Sequence, residues 1–309
     1  MIKYRAGIVL KNLLDQLEVF YGDTNECVAS VYARLMIATD STDYSLNGQI
    51  RGPTSAFGQT LSSTNSLSDL GPGRSVLAKA SVPDPCFWSP ESPALYELTV
   101  ELRHGEQVVE TTSREFGIRM FGRRDRDLFF NSRRWVCRGV LKRGPQDFDD
   151  LSQYRENSMV IVREQPEDSL CEATSRQGVM LVPLLCGDEK QILHDLKRVA
   201  HWGSVGMAMI RPSGTVDGGK LLSAALNVLL VEVNTSPEPI EPANWASAIF
   251  GFRLAPEACG RQAAKCHLPV FAFRRYDGLD ETCVDARREC ERLQADLAVH
   301  GDFSGYIIG

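Results

Sequence analysis

No stretch of this 309-residue chain approaches the roughly 20 consecutive apolar residues that a membrane span requires. Its start, MIKYRAGIVLKNLLDQLEVFYGD, carries an early positive charge. Lys11, Asp15 and Glu18 interrupt the apolar run before any cleavage-like site, so no secretory leader is expected. Basic excess is missing too. The formal charge of −6 forces no cationic face, which argues against a general nucleic-acid binder while leaving room for a local basic site. The nine cysteines (27, 86, 137, 171, 186, 259, 266, 283, 290) are odd in number and show neither a CxxC pair nor metal-ligand spacing. These absences favour reduced thiols in a cytoplasmic protein with no metal or cofactor and neither membrane nor nucleic acid as partner.

Several active-site signatures are also lacking. The glycine-rich residues 214–219, with Thr215 and Asp217, have neither the Lys-Ser/Thr of a phosphate loop nor a dinucleotide fingerprint. Ser213 has no Gly-x-Ser-x-Gly context. His194 and His201 lie seven residues apart on one expected helix, too far to share a metal, so amphipathic packing accounts for them.

What is there is an ordinary globular composition, 43% hydrophobic and 24% charged, on a chain long enough for two sizeable cores. The first third reads as short strands at 6–10, 16–21, 29–38, 44–50, 58–61, 75–82, 96–102 and 107–112, punctuated by Gly22-Asp23, Asn47-Gly48, Gly52-Pro53 and Gly71-Pro72-Gly73. Alternation is clearest where Tyr96, Leu98, Val100 and Leu102 face one way and Glu97, Thr99 and Glu101 the other. Such spacing favours an antiparallel sandwich, with the polar residues 62–73 as a connecting loop. From Gly122 apolar runs alternate with helical stretches. Eight runs are countable, at 135–139, 159–163, 180–184, 205–211, 228–234, 247–253, 269–274 and 303–308. Eight is the number that closes a parallel barrel. Helices are expected at 147–156, 169–177, 190–200, 219–226, 258–265 and 282–298. In the last, Cys283, Ala286, Cys290, Leu293 and Leu297 make one apolar face. The proline-rich TSPEPIEPANWA after the fifth run leaves one outer helix reduced or missing.

Residues 84–140 carry the most specific sequence: FWSPESPALYELTVEL, then FGIR, then LFFNSRRWVCRGV. Trp88-Ser89-Pro90-Glu91, Phe116-Gly117-Ile118-Arg119 and Arg138-Gly139-Val140 resemble glycoside hydrolase family 2, the β-galactosidases, β-glucuronidases and β-mannosidases. The resemblance is strong over these residues, weak but in register across the rest of the barrel, and close to nil before about Val76. It implies an immunoglobulin-like β-sandwich over 1–121 followed by a compact (β/α)8 TIM barrel over 122–309, the hairpin DLFFNSRRW covering the barrel floor. The jelly-roll domain that commonly precedes these two in the family is not in this sequence. The barrel is short against the usual minimum of about 200 residues, which leaves little loop with which to hold a sugar.

The resemblance also says where the chemistry belongs. The family's acid/base is the Glu of an Asn-Glu pair ending strand 4, and the register puts that pair on Pro212-Ser213. Its nucleophile ends strand 7, where Arg274 stands. A guanidinium stays charged and can neither attack an anomeric carbon nor exchange the proton. Loss of hydrolytic chemistry follows, with the chain acting as a binding or scaffolding module. Other strand-end carboxylates are Glu164, Asp188, Glu189, Glu232 and Asp277, and an active glycosidase with relocated carboxylates would draw on Glu164 and Glu232.

Four apolar-arginine pairs recur at strand ends: Val162-Arg163, Ile210-Arg211, Phe252-Arg253 and Phe273-Arg274. Arg163 matches a strand 2 arginine that supports the nucleophile in the family. Converging at the barrel mouth, the four would form an anion site for phosphate, sulfate, a uronic acid or a protein carboxylate, so that the expected partner is an anionic small molecule, a carbohydrate or a protein. Paired instead with Glu164, Glu232 and Asp277, and capped by Arg138, Asn234 and Tyr276, they would plug the barrel as a polar network. Trp88, Trp135, Trp202 and Trp245 could stack on sugar rings, though the first two sit at positions that read as structural. A third reading gives protein contacts to the sandwich alone.

Overall fold

The computed structural model describes residues 12–37, 43–142, 150–276 and 282–309. The expected strand at 6–10, the first residues of the helix at 147–156, and Asp277 lie outside the described residues. The chain divides into two compact units. The first takes the residues up to Gly52, Leu61–Pro85 and Tyr96–Glu115, and the second takes Pro53–Thr60, Cys86–Leu95 and Phe116–Gly309.

The first unit is β-sandwich-like. After a short 3-10 turn at Leu13–Gln16 come β1 (Glu18–Gly22), β2 (Val28–Leu35), β3 (Tyr44–Thr54), β4 (Ser63–Asp69), β5 (Val76–Pro83), β6 (Leu95–His104) and β7 (Gln107–Phe116). Their hydrogen-bonded order is β1-β2-β5-β4-β3-β6-β7. Alternation builds the core: Val31, Ala33 and Leu35 of β2, Ala78, Ala80 and Val82 of β5, and Leu98, Val100 and Leu102 of β6 are buried. One element differs from expectation. Residues 58–61 form no strand, and β4 runs through the segment read as a loop. Only Leu67 of β4 is buried, so the periodic apolar signal is a single residue. Pairing on both sides makes the strand, with Leu67 opposite Gly48 of β3 and Ser68 opposite Lys79 of β5.

The second unit opens on a small antiparallel sheet, β8 (Phe121–Arg124), β9 (Asp127–Phe130) and β10 (Arg133–Trp135). A closed parallel barrel follows: β11 (Cys137–Lys142), β12 (Val160–Glu164), β13 (Leu181–Gly187), β14 (Met207–Pro212), β15 (Leu229–Asn234), β16 (Ala248–Gly251), β17 (Val270–Arg274) and β18 (Gly305–Ile308). The outer helices are α1 (Leu151–Glu156), α2 (Asp168–Gln177), α3 (Glu189–Val199), α4 (Gly218–Ala224), α5 (Pro256–Lys265) and α6 (Cys283–Leu297). No helix joins β15 to β16, as the prolines there dictate. On α6 the buried residues are Cys283, Ala286, Cys290, Leu293 and Leu297, the face expected from spacing. Among the described residues, no helix is long and apolar enough to cross a membrane.

Strand residues divide between two environments. Side chains from all eight strands fill the interior, among them Leu141, Val162, Leu184, Met209, Val231, Phe250, Phe271 and Ile307. Their neighbours along each strand pack outward against helices, Ile161, Leu185, Ala208, Ile210 and Leu230 in one cluster and Ile249, Val270 and Ala272 in another. Leu128 and Phe130 of β9, with Trp88, join the interior cluster and close the floor.

The residues that carry the family resemblance serve this floor. Trp88 is fully buried and its indole N–H donates to the Ser175 carbonyl at 2.8 Å. A Cβ on Gly117 would meet the Gly203 Cα at 2.7 Å, so the chains pass too closely for any side chain. Arg119, 4% exposed, donates to the carbonyls of Gly203 at 3.0 Å and Asn227 at 3.1 Å. Each of these contacts joins the segment before the barrel to the chain ahead of β13, β14 or β15.

Candidate functional site

The C-terminal ends of barrel strands are where this architecture places chemistry. The last inward-facing positions are Leu141, Glu164, Cys186, Arg211, Val233, Phe252 and Phe273. Two of these, Phe252 and Phe273, pack mutually with Phe250 beneath them, with centroids 5.0 to 5.9 Å apart. Apolar side chains thus fill the barrel almost to its mouth.

Register decides what the strand-end charges do, because successive residues face opposite sides. Arg211 follows the outward Ile210 and therefore faces inward, as does Glu164 after Val162 and Arg163. The two pair, Arg211 Nη2 to Glu164 Oε1 at 3.3 Å, both partly exposed. Arg163 lies outward, and its guanidinium reaches the Lys142 carbonyl at 3.4 Å. Arg274 follows the inward Phe273 and also faces outward, where it pairs with Asp296 of α6 at 2.6 Å. Arg253 lies past the end of β16 with φ of 59°, a left-handed conformation costly for a residue with a Cβ. Its guanidinium stands 5.1 Å from the Phe252 ring centroid. The four arginines therefore do not converge on one mouth. Arg253 and Arg274 do share a cavity of about 310 Å³ outside the barrel wall, between α5 and α6. Leu254, Cys259, Leu293 and Leu297 line its apolar side, and Arg275 is a further lining residue. Burial pushes the Cys259 thiol up to about 11, so it stays protonated there.

The carboxylates expected at strand ends are engaged elsewhere. Glu232 has the outward parity of Leu230, not the inward one its position suggested, and accepts the Ala243 N–H at 2.8 Å. Burial raises its carboxyl above the ordinary value, with that N–H opposing. Asp188 caps α3 by accepting from the Gln191 N–H at 2.8 Å. Glu189 takes the Lys220 ammonium at 2.6 Å, which holds its carboxyl below the ordinary range. Asn234 is buried on the outward side too, donating to Gln262 of α5 at 3.2 Å and accepting from the Ser236 N–H at 2.7 Å. Arg138 begins β11 at the opposite end of the barrel, so it caps nothing at the mouth. The Tyr276 N–H donates to the Gly309 carbonyl at 3.2 Å. Ser213 is exposed, its N–H bonded to the Gly187 carbonyl at 2.8 Å.

None of the four tryptophans lies at the mouth. Trp88 and Trp135 belong to the floor, Trp245 is buried in the outer layer, and Trp202 packs there against His201 at 4.7 Å. His194 is exposed on α3. Among the described residues no group of three His, Cys, Asp or Glu side chains could hold a metal. The cavity between α5 and α6 was invisible from sequence. Only Arg253 and Arg274 hinted at it, and for a different location.

Comparison with known proteins fits this geometry. Residues 23–119 match the sequence family described as Glycosyl hydrolases family 2. No curated protein matches the chain. Among solved structures, a glycosyl hydrolase family 2 member from Bacteroides cellulosilyticus aligns with a TM-score of 0.64 at 13% identity over 94% of this chain and 44% of its own. The Bacteroides uniformis β-glucuronidase aligns with 0.56 at 14% identity, over 94% and 45%. A β-glycosidase from Bacteroides vulgatus gives 0.58 at 15% identity, over 83% and 37%. The chain thus resembles family 2 in sequence over 23–119, a likeness that begins well before Val76, and in fold over nearly all its length. It spans less than half of each of these three proteins.

Proposed function

We propose that this chain is a catalytically inactive relative of the family 2 glycosyl hydrolases, a binding module on a glycosidase fold. The carrying observation is the inward face of the strand ends, apolar among the described residues except for Cys186 and the Glu164–Arg211 pair. Glycoside hydrolysis needs two carboxyl groups, about 5 Å apart for retention and about 6.5 to 9.5 Å for inversion. Glu164 is matched by a guanidinium, and Glu232 faces the other side of the barrel wall. At the positions the resemblance assigns to acid/base and nucleophile stand Ser213 and Arg274, neither of which supplies a carboxylate.

The first unit supports an immunoglobulin-like reading. Its continuous order β1-β2-β5-β4-β3-β6-β7 follows the succession A-B-E-D then C-F-G of that sandwich, with β4 hydrogen-bonded to β3 as well as to β5. The ligand this reading favours is a small organic anion, such as a uronic acid, held in the cavity between α5 and α6. Arg253, Arg274 and Arg275 would meet its carboxylate while Leu293 and Leu297 receive its apolar face. A protein carboxylate would satisfy the same groups. A reducing cytoplasm suits nine unbridged thiols.

The test is hydrolysis of a broad aryl-glycoside panel by the folded chain beside Glu164→Gln and Glu232→Gln. No turnover above the buffer rate is expected. Turnover that either substitution abolishes would make the chain an active glycosidase with relocated carboxylates. Calorimetric titration of the same preparation with glucuronate and benzoate completes it. Saturable heat lost in Arg253→Gln is expected, and equal heat in both proteins would move the ligand elsewhere.

A further inference from the structure

A second cavity opens at the other end of the barrel, beneath the starts of β11, β12 and β13. Its volume is about 210 Å³, and Arg134, Arg138, Arg155 and Arg287 line it together with Trp135 and Tyr154. Four guanidinium groups around one small space repel one another unless anions intervene. Arg134 has Asp127 at 2.7 Å, and Arg287 has Glu291 at 3.0 Å. The other two are held by neutral groups. Arg155 donates from Nε to the Pro90 carbonyl at 2.9 Å and stacks 3.6 Å from the Phe57 ring centroid. Arg138 donates from Nη2 to the Gln294 amide oxygen at 2.7 Å.

Arg138 is the informative member. Its Nε is buried and has no hydrogen-bond partner among the described residues. An unmatched buried donor is costly, and more so when it carries charge. Burial first, and then the neighbouring Arg287, disfavour its charged form, with the Glu291 carboxylate opposing them. Cys137 and Leu141 fill the inner side of β11, so Arg138 faces the outer side, towards Gln294 of α6. A group that is partly desolvated, short of one acceptor, placed beside a like charge and open to a cavity has the character of half a binding site.

We infer that this cavity is an oxyanion site, shaped for a phosphate or a phosphate monoester between Arg138, Arg155 and Arg287. A tetrahedral dianion offers acceptors in several directions at once, which suits guanidinium forks arriving from β11, α1 and α6, whereas a planar carboxylate serves one or two. At roughly 30 Å³ per water, the space holds a phosphoryl group with a small organic remainder. Trp135 and Tyr154 supply the apolar wall such a remainder would touch. Among the described residues Glu91, at an exposed position, is the one acidic residue that lines the cavity. The site is separate from the one between α5 and α6 and does not depend on it.

The experiment is thermal unfolding and calorimetric titration of the full chain with inorganic phosphate, at constant ionic strength set with chloride. Wild type, Arg138→Gln, Arg287→Gln and Arg253→Gln are compared. A ligand that binds only the native state raises Tm with concentration. Saturable binding is expected in wild type and in Arg253→Gln, weakened about tenfold or more in Arg138→Gln and in Arg287→Gln. If Arg138→Gln fails to fold, Arg287→Gln carries the test alone. Absence of saturable binding up to about 10 mM phosphate overturns the inference. So does equal binding in all four proteins, or a loss confined to Arg253→Gln, which would place the anion between α5 and α6. Glucose 6-phosphate against inorganic phosphate then separates an ester site from one for the free ion, tighter binding of the ester being expected.

Discussion

Gly203 shows how a single residue without a side chain can hold a barrel floor together. A Cβ there would lie 2.7 Å from the Trp88 ring and 2.9 Å from Leu95 Cδ2, inside van der Waals contact with two buried groups. Because Trp88 is fixed by its bond to Ser175, the ring has nowhere to retreat. Gly203→Ala should therefore cost roughly 1 to 3 kcal/mol, read as a lower urea midpoint with unchanged slope. Gly214→Ala, where nothing lies within 4 Å, should be near neutral. A Gly203→Ala midpoint equal to wild type would mean the floor is looser than it stands here. Motif residues with this role explain why the family resemblance was easy to see and said little about chemistry. Trp88, Gly117 and Arg119 are legible because they solve a packing problem.

At the scale of elements, the barrel strands and helices were readable because apolar runs and helical spacing are strong signals over whole segments. The direction of a side chain at a strand's end was not. Val162-Arg163, Ile210-Arg211 and Phe273-Arg274 are the same dipeptide pattern, yet Val162 and Phe273 are inward and Ile210 is outward. A one-residue change of phase sends the following arginine to the opposite face, and a run of apolar residues buried on both sides carries no phase. β4 failed differently, since pairing with β3 and β5 makes a strand of residues with one buried side chain. The phase of β15 has a measurable consequence. Glu232 faces the outer layer, and burial raises its carboxyl pKa in the folded chain. Between the unfolded and the raised folded value the native state holds more protons than the unfolded one, so this group's contribution to stability falls as pH rises through that window. Glu232→Gln should therefore gain stability relative to wild type at pH 7, and the difference should shrink below about pH 4, where both side chains are neutral. Thermal melts across that range decide it. A variant less stable than wild type at pH 7 would mean the Ala243 N–H favours the carboxylate more than burial disfavours it.

For the whole molecule, the same phase argument separates a retained fold from its chemistry. Closing eight strands needs apolar interiors and short connections, and this chain meets that with a six-residue α1, a seven-residue α4 and no helix after β15. Catalysis needs two particular carboxylates on the inner face, and nothing in barrel closure preserves them. If the chain is inactive as proposed, a glutamate placed by sequence register alone should not create hydrolysis. A carboxylate at position 274 would inherit the outward direction of Arg274 and meet Asp296 of α6, a like charge where an ion pair now stands. Arg274→Glu should show no glycosidase turnover and lose stability by about 1 kcal/mol or less, the modest effect reflecting an exposed pair. Adding Ser213→Glu should leave turnover absent, because the first carboxylate still points at the helix layer. Turnover by Arg274→Glu alone would show that side chain 274 reaches the barrel axis, and the assignment of inner and outer faces on β17 would have to be reversed.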